Sequence, residues 1–128
     1  MGEQRILVVE DHGPLLMAVQ EILEVEGYTV LTATDGAEAL QVMEESRPDL
    51  IVTDILMPRM DGYAFCEAIR AQPEWEPIPL IFLTAKAEME DVLKGKDLGV
   101  ESYITKPFEP EELLAAVRSV LERAGANR

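Results

Sequence analysis

Three stretches of the chain, "RILVV" (5–9), "DLIVT" (49–53) and "LIFLT" (80–84), are aliphatic or β-branched almost throughout instead of alternating with polar residues. Strands that read this way must be covered on both faces, which is the condition of a parallel sheet between two helical layers. Helix-like patterns separate the runs. Leu15, Val19, Ile22 and Leu23 recur at helical spacing and Gly27 supplies a stop. Asp35-Gly36 introduces a second helix with Leu40 and Met43 on its inner face. Further helices are expected at 63–71, at 87–98 before Gly99, and at 111–124 behind Pro110, a residue suited to a first helical turn. "YTVLTA" (28–33) and "SYIT" (102–105) complete five strands alternating with five helices. This order predicts an α/β, doubly wound, five-stranded parallel sheet in a single domain spanning 1–128, with a core of about 4–124. Strand order cannot be read from the pattern, although 2-1-3-4-5 is one of the two common solutions.

Composition narrows the class. The 128 residues suffice for one hydrophobic core, and no apolar run approaches the length of a membrane span. The N-terminus lacks a signal-peptide pattern, and Ile6 stands where a myristoylation motif needs Ser or Thr. One cysteine, Cys66, rules out an internal disulfide and suits a reducing compartment, so a cytoplasmic location is expected. A formal net charge of −14 repels phosphate backbones and argues against direct nucleic-acid binding.

Polar residues stand where the apolar runs end. Glu10 and Asp11 follow the first run, Asp54 the third, Thr84 closes the fourth, and Lys106 follows the fifth. In a parallel sheet these ends share one edge, which is also where ligands bind. Carboxylates crowded together raise one another's pKa unless a cation offsets them, and an all-oxygen donor set favours Mg²⁺, with Mn²⁺ as a substitute. A lysine and a hydroxyl aimed at the same place suit phosphoryl oxygens. The chemistry that fits is phosphoryl transfer onto a carboxylate, with Asp54 the best nucleophile because it stands alone.

The motifs "ILVVEDH", "PDLIVTDILMPRMDG", "IFLTA" and "SYITKPF" occur in this order over nearly the whole chain. In this the chain resembles the receiver domain of bacterial two-component response regulators, of the chemotaxis-receiver type. The resemblance implies a flavodoxin-like (βα)5 fold with strand order 2-1-3-4-5. It implies that Asp54 accepts a phosphoryl group from a sensor histidine kinase or a histidine phosphotransfer protein. Asp11, Asp54 and the Leu56 backbone carbonyl would ligate Mg²⁺, with Glu10 acting largely through water. Thr84 and Lys106 would bind the phosphoryl oxygens, Tyr103 would turn inward on activation, and the Lys106–Pro107 bond would be cis. Leu56 and Lys86 occupy positions that tune attack by water, and an apolar Leu56 suggests slow loss of phosphate. Signalling would pass through the 87–124 surface, where Gly95 weakens the 87–98 helix, to an unspecified effector or through a phosphorylation-dependent dimer.

Other residues carry blander readings. His12 is expected on the solvated rim, Cys66 in or at the edge of the core, and Trp75 over the core beneath the "EWEPIP" loop. Leu16 and Met17 widen the stripe of the first helix; they are either part of a broad buried face or an exposed apolar patch on which a kinase docks. The domain is not expected to turn over an external substrate. The enzymatic alternative, a phosphohydrolase of the haloacid dehalogenase type, usually carries a second aspartate two residues after its nucleophile, where this chain has Leu56. A flavodoxin-like cofactor binder would need a phosphate loop after the first strand, and none is found. Whether the receiver acts alone or belongs to a longer protein stays open.

Overall fold

The computed structural model describes residues 4–55, 60, 62–85 and 100–126. Five strands, β1 (Arg5–Val9), β2 (Thr29–Ala33), β3 (Leu50–Asp54), β4 (Leu80–Ala85) and β5 (Ser102–Lys106), form one sheet in the order β2-β1-β3-β4-β5. All neighbours are parallel: Leu7 stands beside Leu31 and Ile51, and Val52 beside Ile81. Among the described residues four helices, α1 (Gly13–Val25), α2 (Gly36–Glu45), α3 (Gly62–Arg70) and α4 (Pro110–Ala126), cover its two faces. The expected fold and strand order hold. The helix expected at 87–98 lies outside the described residues.

The unalternating runs follow from this layering. Successive residues of a strand point to opposite faces. Leu7, Val9, Ile51 and Phe82 therefore enter one core with Phe65 and Ile69 of α3 and Met43 of α2. Ile6, Val8, Val52, Ile81 and Leu83 enter a second core with Val19 and Leu23 of α1 and Leu113 and Val117 of α4. Every residue of β3 is buried, whereas the edge strands β2 and β5 stay half-exposed and read as more polar. Tyr63 and Phe82 meet edge to face with centroids 5.7 Å apart, which ties α3 to the sheet. Cys66 is buried in the first core, as is Trp75, so both blander readings stand.

Helix ends are set by local chemistry. Gly27, at φ 100°, lets Tyr28 N donate to Leu23 O (3.2 Å) and Gly27 N to Glu24 O (3.0 Å), closing α1 with a left-handed residue that favours glycine. Asp35 caps α2 by accepting from Glu38 N at 2.8 Å, and the Glu38 carboxylate reaches back to Thr34 N at 2.6 Å. Among the described residues no helix is long and apolar enough to cross a membrane.

Candidate functional site

Because the strands are parallel, their C-terminal ends meet at one edge, and the polar residues of the sequence gather there. Asp54 is the last residue of β3 and Lys106 the last of β5, so both are strand positions and not, as the sequence pattern suggests, the residues beyond. Register aligns Asp54 with Leu83 and Ala85 with Lys106, and so puts Thr84 one step further along β4 than Asp54. Glu10 and Asp11 leave β1 at the same level; Glu10 N is held by Ala33 O of β2 at 3.0 Å. One carboxylate oxygen from each of Glu10, Asp11 and Asp54 lies within 4.8 Å of the others.

The three acids sit in different environments. Glu10 is 1% exposed and Asp54 7%, while Asp11 faces solvent. Lys106 Nζ bridges the buried pair, donating to Asp54 Oδ2 at 2.7 Å and Glu10 Oε1 at 3.1 Å. The other oxygen of Glu10 accepts from His12 N at 3.1 Å. Burial, reinforced by the Asp54 charge, pushes the Glu10 carboxyl up to about 7, although the His12 N–H and Lys106 pull it back. Burial alone would lower Lys106; its bonds and charge pairing with Asp54, then with Glu10, outweigh that and move it upward, so the ammonium stays charged.

Among the described residues all the gathered metal donors are oxygens, three carboxylates face one ammonium, and one of the three opens to solvent. Such a set suits a hard divalent cation that keeps part of its water shell. It does not suit zinc or copper, for which the described residues offer neither thiolate nor imidazole ligands in this cluster.

The remaining expected residues are placed as follows. The Lys106–Pro107 peptide is cis. Tyr103 is half-buried on β5 and packs against the first core. His12 lies on the exposed rim, its backbone rather than its ring serving Glu10. Leu56, Lys86 and the side chain of Thr84 lie outside the described residues. In α1 the two alternatives divide: Leu16 is half-buried against the second core, as part of a broad buried face, whereas Met17 is 69% exposed.

Two features were not anticipated. Lys106 joins both buried carboxylates, a link that the lysine's place at a strand end hinted at without naming partners. Gly36 and Gly62, which have the sequence context of turn residues, are buried against neighbouring backbone: an added Cβ at Gly62 would stand 2.5 Å from Asp54 O.

An acid cluster at the C-terminal edge of a 2-1-3-4-5 sheet, bridged by a lysine ahead of a cis proline, defines a receiver-type signalling module. Residues 6–118 match the family model of the response regulator receiver domain, and the chain belongs to that family. It is 43% identical over 121 residues to the alkaline phosphatase synthesis transcriptional regulatory protein PhoP of Bacillus subtilis, covering 94% of this chain and 50% of PhoP. It is 38% identical to the DNA-binding dual master transcriptional regulator RpaA of Synechocystis, over 93% of this chain and 49% of RpaA. The chain thus spans about half the length of the curated relatives it matches. Among solved structures, the chemotaxis response regulator CheY4 of Vibrio cholerae superposes with a TM-score of 0.87 at 35% identity, covering 93% of this chain and 99% of CheY4. A CheY-like receiver domain protein from Methanospirillum hungatei superposes at 0.92 with 29% identity, covering 99% of this chain and 100% of that one.

Proposed function

We propose that this chain is a single receiver domain, with a core of about 4–124, that works as a Mg²⁺-dependent phospho-acceptor switch. The observation that carries the reading is the buried Asp54 carboxylate, 2.7 Å from the Lys106 ammonium and clustered with Glu10 and Asp11. An Asp54 oxygen attacks the phosphorus of a phosphohistidine on a sensor kinase or phosphotransfer protein. A P–O bond forms as the P–N bond breaks, and the departing imidazole nitrogen takes up a proton. β3, buried over its whole length, holds the nucleophile still during attack. Lys106 lies within reach of Asp54 and supplies positive charge for the incoming phosphoryl oxygens, as Thr84 would from β4. Mg²⁺, when bound, offsets the carboxylates and the phosphoryl charge; Asp11, Asp54 and the Leu56 carbonyl would hold it, with Glu10 acting through water.

The module changes state rather than turning over an external substrate. It operates in the cytoplasm, and its response passes through β5, α4 and the 87–98 segment to an effector, in the same chain or another. The naming of relatives as transcriptional regulators supports a downstream role in gene control, which the net charge of −14 assigns to the effector and not to this surface. Met17 on α1 would contribute apolar contact to the docked phosphodonor.

The test is phosphorylation by acetyl phosphate with and without Mg²⁺, read by mass spectrometry on the intact protein. One phosphoryl group is expected, dependent on Mg²⁺ and absent in Asp54→Asn. Labelling that persists in that variant would overturn the reading.

A further inference from the structure

We propose that Thr53, the residue before the phospho-acceptor, is a positioning residue for Asp54: its side-chain hydroxyl holds the Asp54 carbonyl at the end of β3. The inference rests on the phospho-acceptor reading above. Thr53 Oγ1 donates to Asp54 O at 3.0 Å, and Thr53 is fully buried. Its neighbours in register are Val9 of β1 and Phe82 of β4, and the residues of β3 that precede it, Leu50, Ile51 and Val52, are all aliphatic. A valine has nearly the same shape and would fill this place without taking a hydroxyl out of water, a transfer that costs stability unless a hydrogen bond compensates. Among the described residues, the partner of that hydroxyl is the carbonyl of the nucleophile itself.

Asp54 sits where the support of the sheet thins out. Pairing of β3 with β1 stops at Thr53 beside Val9, so Asp54 is in register with β4 alone, at Leu83. Two further contacts converge on its carbonyl. One is the Thr53 hydroxyl; the other is the backbone of Gly62, so close that a Cβ there would stand 2.5 Å from Asp54 O. The next peptide is fixed in turn by Gly62 N donating to Ile55 O at 2.7 Å. Carbonyl and side chain branch from the same Cα, so holding the carbonyl also fixes the direction in which the carboxylate leaves the strand, toward Lys106 Nζ at 2.7 Å from Asp54 Oδ2. Without the hydroxyl the pairing with β4 and the Gly62 contact remain. The strand end should then stay folded while the carboxylate spends less of its time in line for attack.

The test separates the shape of Thr53 from its hydroxyl. Thr53→Val keeps the shape and loses the donor, whereas Thr53→Ser keeps the donor and loses a buried methyl. The rate of labelling by acetyl phosphate is followed by mass spectrometry at saturating Mg²⁺, with Tm measured on the same proteins. We expect Thr53→Val to label roughly fivefold more slowly than wild type, the rate equivalent of one neutral hydrogen bond, with a Tm at or above that of Thr53→Ser. Thr53→Ser should have the lower Tm and yet label at nearly the wild-type rate. If Thr53→Val does not fold, Thr53→Ala carries the test against Thr53→Ser, since those two differ by the hydroxyl alone. Labelling without the hydroxyl as fast as with it, or rates that simply follow Tm across the variants, overturns the proposal. A wild-type protein that does not label would instead overturn the phospho-acceptor reading.

Discussion

Glu10 is held in the fold against its own preference for water, and replacing it with glutamine tests that directly. Its carboxyl rises from 4.5 to about 7, so the folded state binds a proton there more tightly than the unfolded chain does. Stability from this group is therefore complete below about pH 4.5 and is lost as the pH rises to about 7, beyond which both states are ionised and the contribution levels off. Each pKa unit corresponds to about 1.4 kcal/mol, which makes the total loss about 3 kcal/mol. The glutamine side chain of the Glu10→Gln variant stays neutral at every pH but has one acceptor oxygen for the two donors, His12 N and Lys106 Nζ, that bond separate oxygens of Glu10, so it carries a cost that does not vary with pH. In metal-free buffer the stability difference between variant and wild type should move by about 3 kcal/mol in the variant's favour between about pH 4.5 and pH 7, roughly 10 °C in Tm for a domain of this size. Added Mg²⁺ should shrink the gap, since the cation stabilises the folded state that binds it and binds the glutamine variant less well. The assay is urea or thermal unfolding of both proteins from about pH 4.5 to 8.5, with EDTA and with Mg²⁺. A difference that does not change with pH would refute the account, as would a wild type that gains stability across this window relative to the variant.

Four further outcomes are expected. Gly62→Ala would set a Cβ 2.5 Å from Asp54 O and 2.9 Å from Ile55 Cα, so stability should fall by about 1–3 kcal/mol, with slower labelling of Asp54 by acetyl phosphate; normal stability would show that the strand end yields freely. Arg70 donates to Glu76 O at 2.6 Å and Ile78 O at 2.9 Å; Arg70→Met should cost about 2 kcal/mol and shift Trp75 emission to the red. Glu101→Gln, which spares the acceptor for Leu80 N and loses only a 3.5 Å ion pair at the surface, should cost less than about 1 kcal/mol, and a larger cost would reverse that ranking. Met17→Glu should slow phosphoryl transfer from a kinase without changing Tm or labelling by acetyl phosphate, and equal losses with both donors would remove Met17 from the docking surface.

What could be read in the sequence follows from what each residue answers to. β1, β3 and β4 were legible because burial on both faces leaves no polar positions, and Asp54 was legible because it breaks that rule at the end of β3. Period-3.6 patterns located α1 and α2 by their stripes and placed α3 and α4 to within a residue or two, since each buries a stripe against one face. Strand order came only with the family resemblance, because it depends on which loops cross the sheet and not on any residue's polarity. Lys106 could be assigned to the right edge but not to both Glu10 and Asp54, as one side chain's reach over two neighbours is decided by register.

The two Asp-Gly pairs show the same limit more sharply. Each has the sequence of a turn, where glycine serves by adopting conformations other residues avoid. Gly36 and Gly62 are instead buried, with another segment's backbone within 3 Å of where a Cβ would stand. Gly27, by contrast, does adopt a positive φ, and a Cβ there would meet nothing within 4 Å. All three are a single letter in the sequence, yet one is needed for a backbone angle and two for room. Substitution separates them: alanine at Gly27 should cost about 1 kcal/mol through the backbone alone, with Mg²⁺ affinity untouched. Alanine at Gly36 or Gly62 should instead cost about 1–3 kcal/mol, because backbone within 3 Å of the new Cβ has to move.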